Sequence, residues 1–299
     1  MTKKRAHSPH KKRADAENIP QKLPPQTRAV LRPGQSAALL QALHILTPDA
    51  RLNQDSRRKL KQVEHLLQFL CPMLDEVAQH NGDCDVQLAD CGAGKSYLGF
   101  LLYERWFAPR RAGHVYAIER RAELAQGARA LAARLGWARM HCIEGEVGEA
   151  AALPEKLDVV CALHACDSAT DEAIALALAR HAQAIALVPC CQAEVAAQLR
   201  LGKAQALAAG ALAELWRHPL HTREFGSHLT NVLRCLYLQA CGYTVTTTEF
   251  TGWEHSLKNE LICARWCGHK SRSAAQRMRA LLEMCGLQEV AARRWPLGA

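Results

Sequence analysis

The sequence lacks any apolar run near the roughly 20 residues that a helix needs to cross a bilayer, so no membrane span is predicted. No apolar segment follows the charged start Met1-Thr2-Lys3-Lys4-Arg5, so no secretion signal is predicted either, and we expect a cytoplasmic protein. The 13 cysteines contain no pair of CxxC units, which argues against a structural zinc site. In the cytoplasm these cysteines should be reduced thiols, and no bound metal is expected.

The sequence does have an excess of positive charge, with a formal net charge of +9 over 299 residues. Residues 1–35 are basic and contain prolines without hydrophobic periodicity, which predicts a disordered arm. A second basic stretch, residues 268–299, is predicted as a helical tail. Because such clusters attract phosphate backbones, RNA is the expected partner, and a merely solubilising tail is the alternative for the arm.

Hydrophobic periodicity indicates alternating helices and strands. Apolar residues recur at helical spacing over residues 57–78, inside a predicted helical segment at residues 36–82, and Asn81-Gly82 predicts its end. Short apolar runs predict seven strands, at residues 86–91, 114–119, 140–143, 157–163, 184–189, 243–250 and 260–266. Helical character is found between them, at residues 96–107, 122–135, 170–180 and 229–241.

The order of these elements predicts the fold class. Strands that alternate with helices pair in parallel through helical crossovers. The last two runs are joined only by residues 251–259, which are too few for such a crossover, so these strands should be antiparallel. Residues 83–267 are therefore predicted to form one α/β domain with a doubly wound, seven-stranded, Rossmann-like sheet whose last strand is antiparallel.

A glycine loop, Asp90-Cys91-Gly92-Ala93-Gly94-Lys95, follows the first predicted strand. In an open parallel sheet, ligands bind beyond the carboxyl ends of the strands, and glycines allow the backbone to turn sharply and approach a ligand closely. The Asp90 carboxylate would accept hydrogen bonds from an ammonium group and would repel a phosphate. This combination favours the methionine end of S-adenosylmethionine as the ligand, held by Asp90, Gly92, Ala93, Gly94 and Lys95.

Acidic residues also follow the second and third predicted strands. Glu119 is placed to accept hydrogen bonds from both ribose hydroxyls of an adenosine, and Glu146 from the adenine amino group. Leu163, at the end of the fourth predicted strand, is assigned to the same cofactor pocket. Acidic residues at three successive strand ends make the pattern more specific than a glycine loop alone.

Two other types of glycine loop remain open as alternatives. Gly94-Lys95-Ser96 matches the end of the phosphate-binding pattern G-x-x-x-x-G-K-[ST], although Ala89 stands where the first glycine belongs. A dinucleotide-binding loop, G-x-G-x-x-G, would need a third glycine at the position of Tyr97.

The fourth and fifth predicted strands lead to the candidate catalytic residues. His164 and Asp167 would position or deprotonate the methyl acceptor, since histidine has a pKa suited to a general base. Cys190 is the third candidate, as a thiolate nucleophile. The alternatives are a purely structural histidine, thiols of Cys190 and Cys191 that only line the pocket, and a metal site made of His164, Cys166, Cys190 and Cys191.

Two further polar features lie near the same strand ends. Asp171 is expected to cap or charge the first turn of the helix after the fourth strand. Between the last two strands, Trp253 is suited to stacking on a base, and His255 or Lys258 to contacting phosphate. A tight structural hairpin is an equal alternative for this segment.

These motifs together resemble those of a superfamily of class I S-adenosylmethionine-dependent methyltransferases. His164-Ala165-Cys166-Asp167 with Ala169-Thr170-Asp171 is similar to its H-x-C-x-x-A-T-D signature; the glycine loop, Pro189-Cys190-Cys191 and residues 254–259 are similar too. That superfamily includes the eukaryotic acceptor-stem tRNA 2′-O-methyltransferases and related methyltransferase-like proteins. The resemblance spans residues 57–266 and implies that His164 and Asp167 lie at the reaction centre. The zinc modules of the tRNA enzymes have no counterpart in the N-terminal arm.

The sequence therefore predicts a methyltransferase that acts on RNA, either tRNA or rRNA. Three alternatives remain: methylation of a protein or small molecule, a non-catalytic RNA-binding module on the same fold, and a P-loop NTPase.

Overall fold

The structure is a computed structural model that describes residues 23–149, 152–163, 165, 168–189, 193–203, 214, 217–249 and 260–297. The chain divides into two compact units, Met1–Ser56 and Arg57–Ala299. None of the helices in the described ranges is long and apolar enough to cross a membrane.

Within residues 23–53, the described part of the first unit before the long third helix, there are two short helices, α1 (Pro25–Arg28) and α2 (Ala37–Ala42). The helix α1 lies within the region that the sequence predicts as a disordered arm, whose residues 1–22 are outside the described ranges. The difference has a physical reason. Pro25 occupies the first position of a helix, where its fixed φ is favourable, and the Thr27 hydroxyl donates a hydrogen bond of 2.8 Å to the Ala50 carbonyl oxygen.

The second unit is built on a seven-stranded sheet with the order β3-β2-β1-β4-β5-β7-β6. Its strands are β1 (Gln87–Cys91), β2 (His114–Glu119), β3 (Met140–Glu144), β4 (Val159–Leu163), β5 (Ala184–Val188), β6 (Tyr243–Glu249) and β7 (Glu260–Trp266). Strand order reverses beside β1, which pairs in parallel with both β2 and β4. A ligand site is therefore expected at the carboxyl end of β1.

The last strand runs against the others, which confirms the predicted fold class. Strand β7 is antiparallel to both of its neighbours, with Cys263 opposite Ala186 of β5 and opposite Thr246 of β6. The central strands are buried along almost their whole length and are rich in small apolar residues, as both faces of a parallel sheet must be when helices cover them.

The helices that the structure describes in the second unit lie before, between and after these strands. They are α3 (Gln54–Asn81, which begins in the first unit), α4 (Tyr97–Leu102), α5 (Ala108–Arg110), α6 (Ala122–Arg134), α7 (Ser168–Ala179), α8 (Ala193–Gln198), α9 (Pro219–Ala240), α10 (Arg272–Cys285) and α11 (Gln288–Arg294). A π-helical segment, Tyr103–Phe107, joins α4 to α5, and another, Leu199–Lys203, follows α8; Val147–Glu149 is a 3-10 turn.

Helix boundaries differ from the sequence prediction mainly at α9, which begins ten residues earlier than the apolar pattern at residues 229–241 indicates. The added residues include Thr222, Gly226 and Ser227, which are buried although they are not strongly apolar. Gly226 is required by close packing, since a Cβ at this position would lie 2.8 Å from the Cα atom of Ala196 in α8. Small polar residues are buried at this contact, and hydrophobic periodicity does not detect them.

A buried ion-pair network around Asp171 joins the three helices α7, α9 and α11. This residue lies in the first turn of α7, as predicted, but its carboxylate is buried. It accepts hydrogen bonds from Nε and Nη2 of Arg234 in α9, at 2.8 and 2.9 Å, and from Nε of Arg294 in α11, at 2.8 Å. The indole Nε1 of Trp295 donates a further bond of 2.7 Å. Asp171 therefore joins segments far apart in the chain and does more than cap its own helix.

The network also changes the interpretation of the basic C-terminal stretch. Arg294 is 9% exposed and bonds both Asp171 and Glu194, and Arg293 donates a bond of 2.8 Å to Glu194. These two arginines, which the charge pattern counted toward an RNA surface, serve structural ion pairs. The remaining basic residues of that stretch lie before and on α10 and are exposed, among them Lys270, Arg272 and Arg277.

Replacement of Asp171 by asparagine should strongly destabilise the second unit. Burial raises the pKa of Asp171, but the guanidinium groups of Arg234 and Arg294 outweigh it and hold the pKa below its ordinary value. The Asp171→Asn variant removes the carboxylate that Arg234 contacts and leaves Arg294 with Glu194 as its ion-pair partner, which should lower the free energy of unfolding by about 3–5 kcal/mol. Urea denaturation measures this loss. The neighbouring Glu172→Gln variant is the matched control, and an equal effect of both substitutions would contradict the network.

Candidate cofactor site

The loop after β1 adopts the conformation that its glycines allow. Gly92 and Gly94 have φ angles of +67° and +59°, in the left-handed region that favours glycine. Ser96, just before α4, also has a positive φ of +55° and is buried. The main-chain N–H of Ala93 donates a bond of 2.9 Å to the carbonyl oxygen of Ile118 in β2. The loop is thus folded back against the end of β2, and Gly92, Ala93 and Gly94 are partly exposed.

Asp90 stands out among the loop residues because it is a buried carboxylate with an unpaired oxygen. Its side chain is 1% exposed, and its Oδ2 has no hydrogen-bond partner among the described residues. Burial raises the pKa of Asp90 to about 7; the Gly99 amide lowers it in part, and the nearby charge of Glu119 raises it further. A buried carboxylate without a partner favours either a proton or a cation. The site therefore fits the ammonium group predicted from the sequence.

Gly99 in α4 leaves the room for this carboxylate. A Cβ at position 99 would lie 3.4 Å from Oδ2 of Asp90 and 2.9 Å from the methyl group of Met140. A side chain at position 99 would therefore displace the Met140 methyl group and contact the Asp90 carboxylate. The sequence analysis did not single out Gly99, although a glycine inside a predicted apolar helix is a signal of close packing.

Glu119 ends β2 and is tied to the glycine loop. Its Oε2 accepts a bond of 2.7 Å from the Gly94 amide, and its Oε1 accepts bonds of 3.0 and 2.7 Å from the main chain and Nε of Arg121. Burial raises the pKa of Glu119, but these hydrogen bonds outweigh it and leave the pKa below the ordinary value. Glu119 is therefore an ionised acceptor beside the loop, and its contact with ribose hydroxyls stays a prediction.

Arg121 is the residue at this site that the sequence did not reveal. Its side chain is 57% exposed, while the Glu119 side chain that it contacts is 8% exposed. Because both oxygens of Glu119 already accept hydrogen bonds, two hydroxyls would bind there only if the exposed Arg121 side chain moved aside. An arginine two residues after a strand end is indistinguishable in sequence from an ordinary solvated charge.

The other predicted cofactor residues are less enclosed. Lys95 is exposed on the loop, and Leu163, the last residue of β4, is half-buried. Glu146 follows β3 at the rim, where its half-exposed carboxylate lies 3.7 Å from Nη1 of Arg120. The structure thus places Glu146 at an edge open to solvent, which suits a contact to the outer part of a ligand.

The predicted catalytic residues His164, Asp167 and Cys190 lie outside the described residues, as do Cys166, Cys191 and residues 253–259. Their roles therefore stay predictions. Ala165 is described and is informative. It is buried, it lies 3.5 Å from the place that a Cβ on Gly92 would take, and its carbonyl oxygen accepts a bond of 2.7 Å from the Thr170 hydroxyl. The main chain of the H-x-C motif at position 165 therefore abuts the glycine loop.

The two thiols that the structure describes nearest the loop, Cys91 and Cys161, are unsuited to act as nucleophiles. Cys91 and Cys161 are fully buried, and burial raises the pKa of both thiols well above the ordinary range. They are protonated at neutral pH and act as small apolar residues of the core. All ten described cysteines are free thiols, in agreement with the prediction of reduced cysteines. No cluster of three or more metal-ligating side chains occurs within the described ranges.

The geometry of the loop argues against a P-loop. In a P-loop, main-chain N–H groups point at phosphate oxygens. Here the Gly94 amide donates to the Glu119 carboxylate, so an acidic group occupies the place of an anion. The buried carboxylate of Asp90 adds a second acidic group beside the same loop. Phosphate would meet two carboxylates there and be repelled.

Comparison with known families agrees with this geometry. Residues 58–198 match the profile of a family described as a methyltransferase domain, a segment that includes β1 to β5, the glycine loop and Asp171. This part of the chain is similar to that domain, and the match supports the prediction of S-adenosylmethionine as cofactor. A search of curated protein sequences found no significant match.

Several solved methyltransferase structures are similar to this chain at low identity and low TM-score. Magnesium protoporphyrin IX methyltransferase from Synechocystis PCC 6803, with bound S-adenosylhomocysteine, is 13% identical with a TM-score of 0.44, over 77% of this chain and 94% of its own. An rRNA methylase from Streptococcus thermophilus is 11% identical with a TM-score of 0.39, over 61% and 87%. Precorrin-6y C5,15-methyltransferase from Geobacter metallireducens is 17% identical with a TM-score of 0.36, over 60% and 80%. Similarity at this level identifies no substrate.

The buried Asp90 carboxylate should lower the stability of the folded protein and raise its affinity for S-adenosylmethionine, relative to a variant with a neutral side chain at this position. Because the folded-state pKa is raised from 3.8 to about 7, ionisation opposes folding increasingly between those pH values and by a constant amount above them, about 4 kcal/mol. The Asp90→Asn variant should therefore gain stability at pH 8, measured by thermal unfolding. It should also lose affinity for S-adenosylmethionine by about tenfold or more, measured by calorimetry.

The matched control is Asp85→Asn, which removes an exposed carboxylate just before β1. It should leave both the melting temperature and the cofactor affinity nearly unchanged. Unaltered affinity in the Asp90→Asn variant would show that this carboxylate does not contact the cofactor.

Proposed function

We propose that the protein is an S-adenosylmethionine-dependent methyltransferase that acts on RNA. The observation that carries the cofactor assignment is the buried, unpaired Oδ2 of Asp90 beside a glycine loop with positive φ angles. When bound, S-adenosylmethionine would supply an electrophilic methyl group on a sulfonium centre.

The chain's own residues have distinct tasks in this proposal. Asp90 would accept hydrogen bonds from the ammonium group of the cofactor, and its proton would leave as the cation binds. Glu119 would accept hydrogen bonds from the ribose hydroxyls after Arg121 turns outward. Gly92 and Gly94 would allow the backbone to approach the methionine moiety without a Cβ in between.

Methyl transfer would depend mainly on alignment of the acceptor with the methyl group, with proton removal secondary. His164 and Asp167 are proposed to orient the acceptor and take its proton, and Cys190 to line the pocket or act as a nucleophile. The described position of Ala165 against Gly92 supports this, because it brings the main chain between His164 and Cys166 to the glycine loop.

Support for RNA comes from charge. The net charge is +9, and the exposed cations before and on α10 are not used by the Asp171 network. A basic surface of this kind attracts a phosphate backbone. The basic residues of segment 1–35 favour RNA over a protein or a small molecule, and we propose the cytoplasm as the place of action.

Transfer of a labelled methyl group tests this proposal. With S-adenosylmethionine labelled at the methyl group and fractionated cell extract, label should enter the RNA fraction and become soluble on ribonuclease treatment. Glu119→Gln should reduce the apparent cofactor affinity about tenfold, since a charged acceptor is replaced by a neutral one while the Gly94 contact is kept. The control is Glu123→Gln, an exposed carboxylate at the start of α6.

The outcomes separate the parts of the proposal. Label confined to protein would overturn the RNA substrate and leave the methyltransferase assignment standing. Equal affinities of the Glu119→Gln and Glu123→Gln variants would overturn the ribose contact.

A further inference from the structure

A cavity lies at the other end of the strands from the glycine loop, where β6 begins and β7 ends. Its volume is about 610 Å³, and its wall includes residues from the start of β6, the end of β7, the end of α7 and one face of α10. The paired residues Tyr243 and Trp266 mark this end, since β7 is antiparallel to β6. With about 3.3 Å per residue, a five-residue strand separates the two ends by roughly 16 Å. The cavity is therefore distinct from the candidate cofactor site.

One wall of the cavity is a half-exposed indole held in a fixed place. Trp266 is 50% exposed, which is unusual for so large an apolar side chain. Its ring lies against Gly242, where φ is +107° and a Cβ would come within 2.7 Å of the ring. The ring of Tyr243 meets it edge-on, with centroids 5.2 Å apart. The backbone and an aromatic neighbour therefore fix the indole while part of its surface stays open.

The remaining polar wall is basic. Lys270, Arg279 and His181 line the cavity, and its described lining contains no aspartate or glutamate. Lys270 is exposed and forms no ion pair with a carboxylate in the described ranges. An open aromatic surface beside cationic groups fits a ligand that combines a planar ring with negative charge. Neither feature contributes to the core or to the Asp171 network.

We propose that this cavity binds a nucleotide, with its base stacked on Trp266 and its phosphate near Lys270. The nucleotide has two possible sources with the same chemistry, a residue of an RNA strand and a free mononucleotide. As a residue of RNA it rests on the proposed function, because the bound nucleotide would lie on the far side of the domain from the methylated one. The cavity then holds the substrate at a second point and contributes to affinity without taking part in methyl transfer.

Binding of uridine monophosphate and of total tRNA tests the proposal. A pyrimidine nucleotide is chosen because it does not resemble the adenosine part of the cofactor. Calorimetry should detect uridine monophosphate binding to the wild-type full-length chain. Trp266→Leu and Lys270→Glu should each weaken it by about tenfold, through loss of stacking and of charge attraction respectively. Lys270→Glu replaces an exposed side chain and should leave the melting temperature unchanged.

Arg277→Glu is the matched control. Arg277 lies on the same helix as Arg279 but outside the cavity lining. This variant therefore changes the net charge as much as Lys270→Glu does and leaves the cavity intact. Arg277 also belongs to the exposed basic surface, so the control should keep its nucleotide affinity and lose little tRNA affinity. Loss of nucleotide affinity in the two cavity variants alone, with a larger loss of tRNA affinity than in the control, supports an RNA strand as the ligand. Loss of nucleotide affinity with tRNA affinity unchanged supports a free mononucleotide as the ligand.

Two outcomes overturn the site. One is the absence of any uridine monophosphate binding by the wild-type chain; the other is equal weakening by Arg277→Glu, which would reveal only a general effect of surface charge. Affinity for S-adenosylmethionine is measured in parallel. Because none of these substitutions touches the glycine loop, failure of the proposed cofactor site would appear there independently.

Discussion

The structure depends most on one electrostatic constraint, the burial of Asp90 at the carboxyl end of the central strand. A carboxylate there opposes folding unless it is protonated or meets a cation. Its surroundings are consistent with a ligand that supplies the cation, because Oδ2 has no hydrogen-bond partner among the described residues and the position beside it, Gly99, has no side chain. The second acidic group, Glu119, is instead satisfied within the protein. Asp90 is therefore suited to bind a cation, and Glu119 is suited to accept hydrogen bonds from neutral donors.

The strand order of the sheet places the loop after β1 at a position where a ligand can bind. Strand order reverses beside β1, which leaves a crevice that no crossover covers. A separate network around Asp171 joins α7, α9 and α11: Arg234 and Arg294 lie 63 and 123 residues later in the chain and contact this one buried carboxylate. Stability and ligand binding thus depend on two buried carboxylates with opposite pKa shifts.

Much of this could be predicted from the sequence because the determining signals are local. Strand ends, positive-φ glycines and acidic residues at Asp90 and Glu119 lie within short stretches whose spacing is set by the fold class. What could not be predicted depends on contacts between distant segments. In the sequence, Asp171 resembles an ordinary helix-capping residue, and only the structure shows that two arginines distant in the chain bind it. Arg121 likewise resembles a solvated charge, and only the structure shows its bond to Glu119.

The central claim is that the loop after β1 binds S-adenosylmethionine through an ionised Asp90. Calorimetric titration of the wild-type protein with S-adenosylmethionine and with ATP, at pH 6 and pH 8, tests it most directly. The pKa of Asp90 in the free protein is about 7, and only the ionised form accepts bonds from an ammonium group, so affinity should rise about tenfold from pH 6 to pH 8. ATP should not bind at either pH. Tighter binding of ATP than of S-adenosylmethionine, or an affinity that falls as pH rises, would contradict the account.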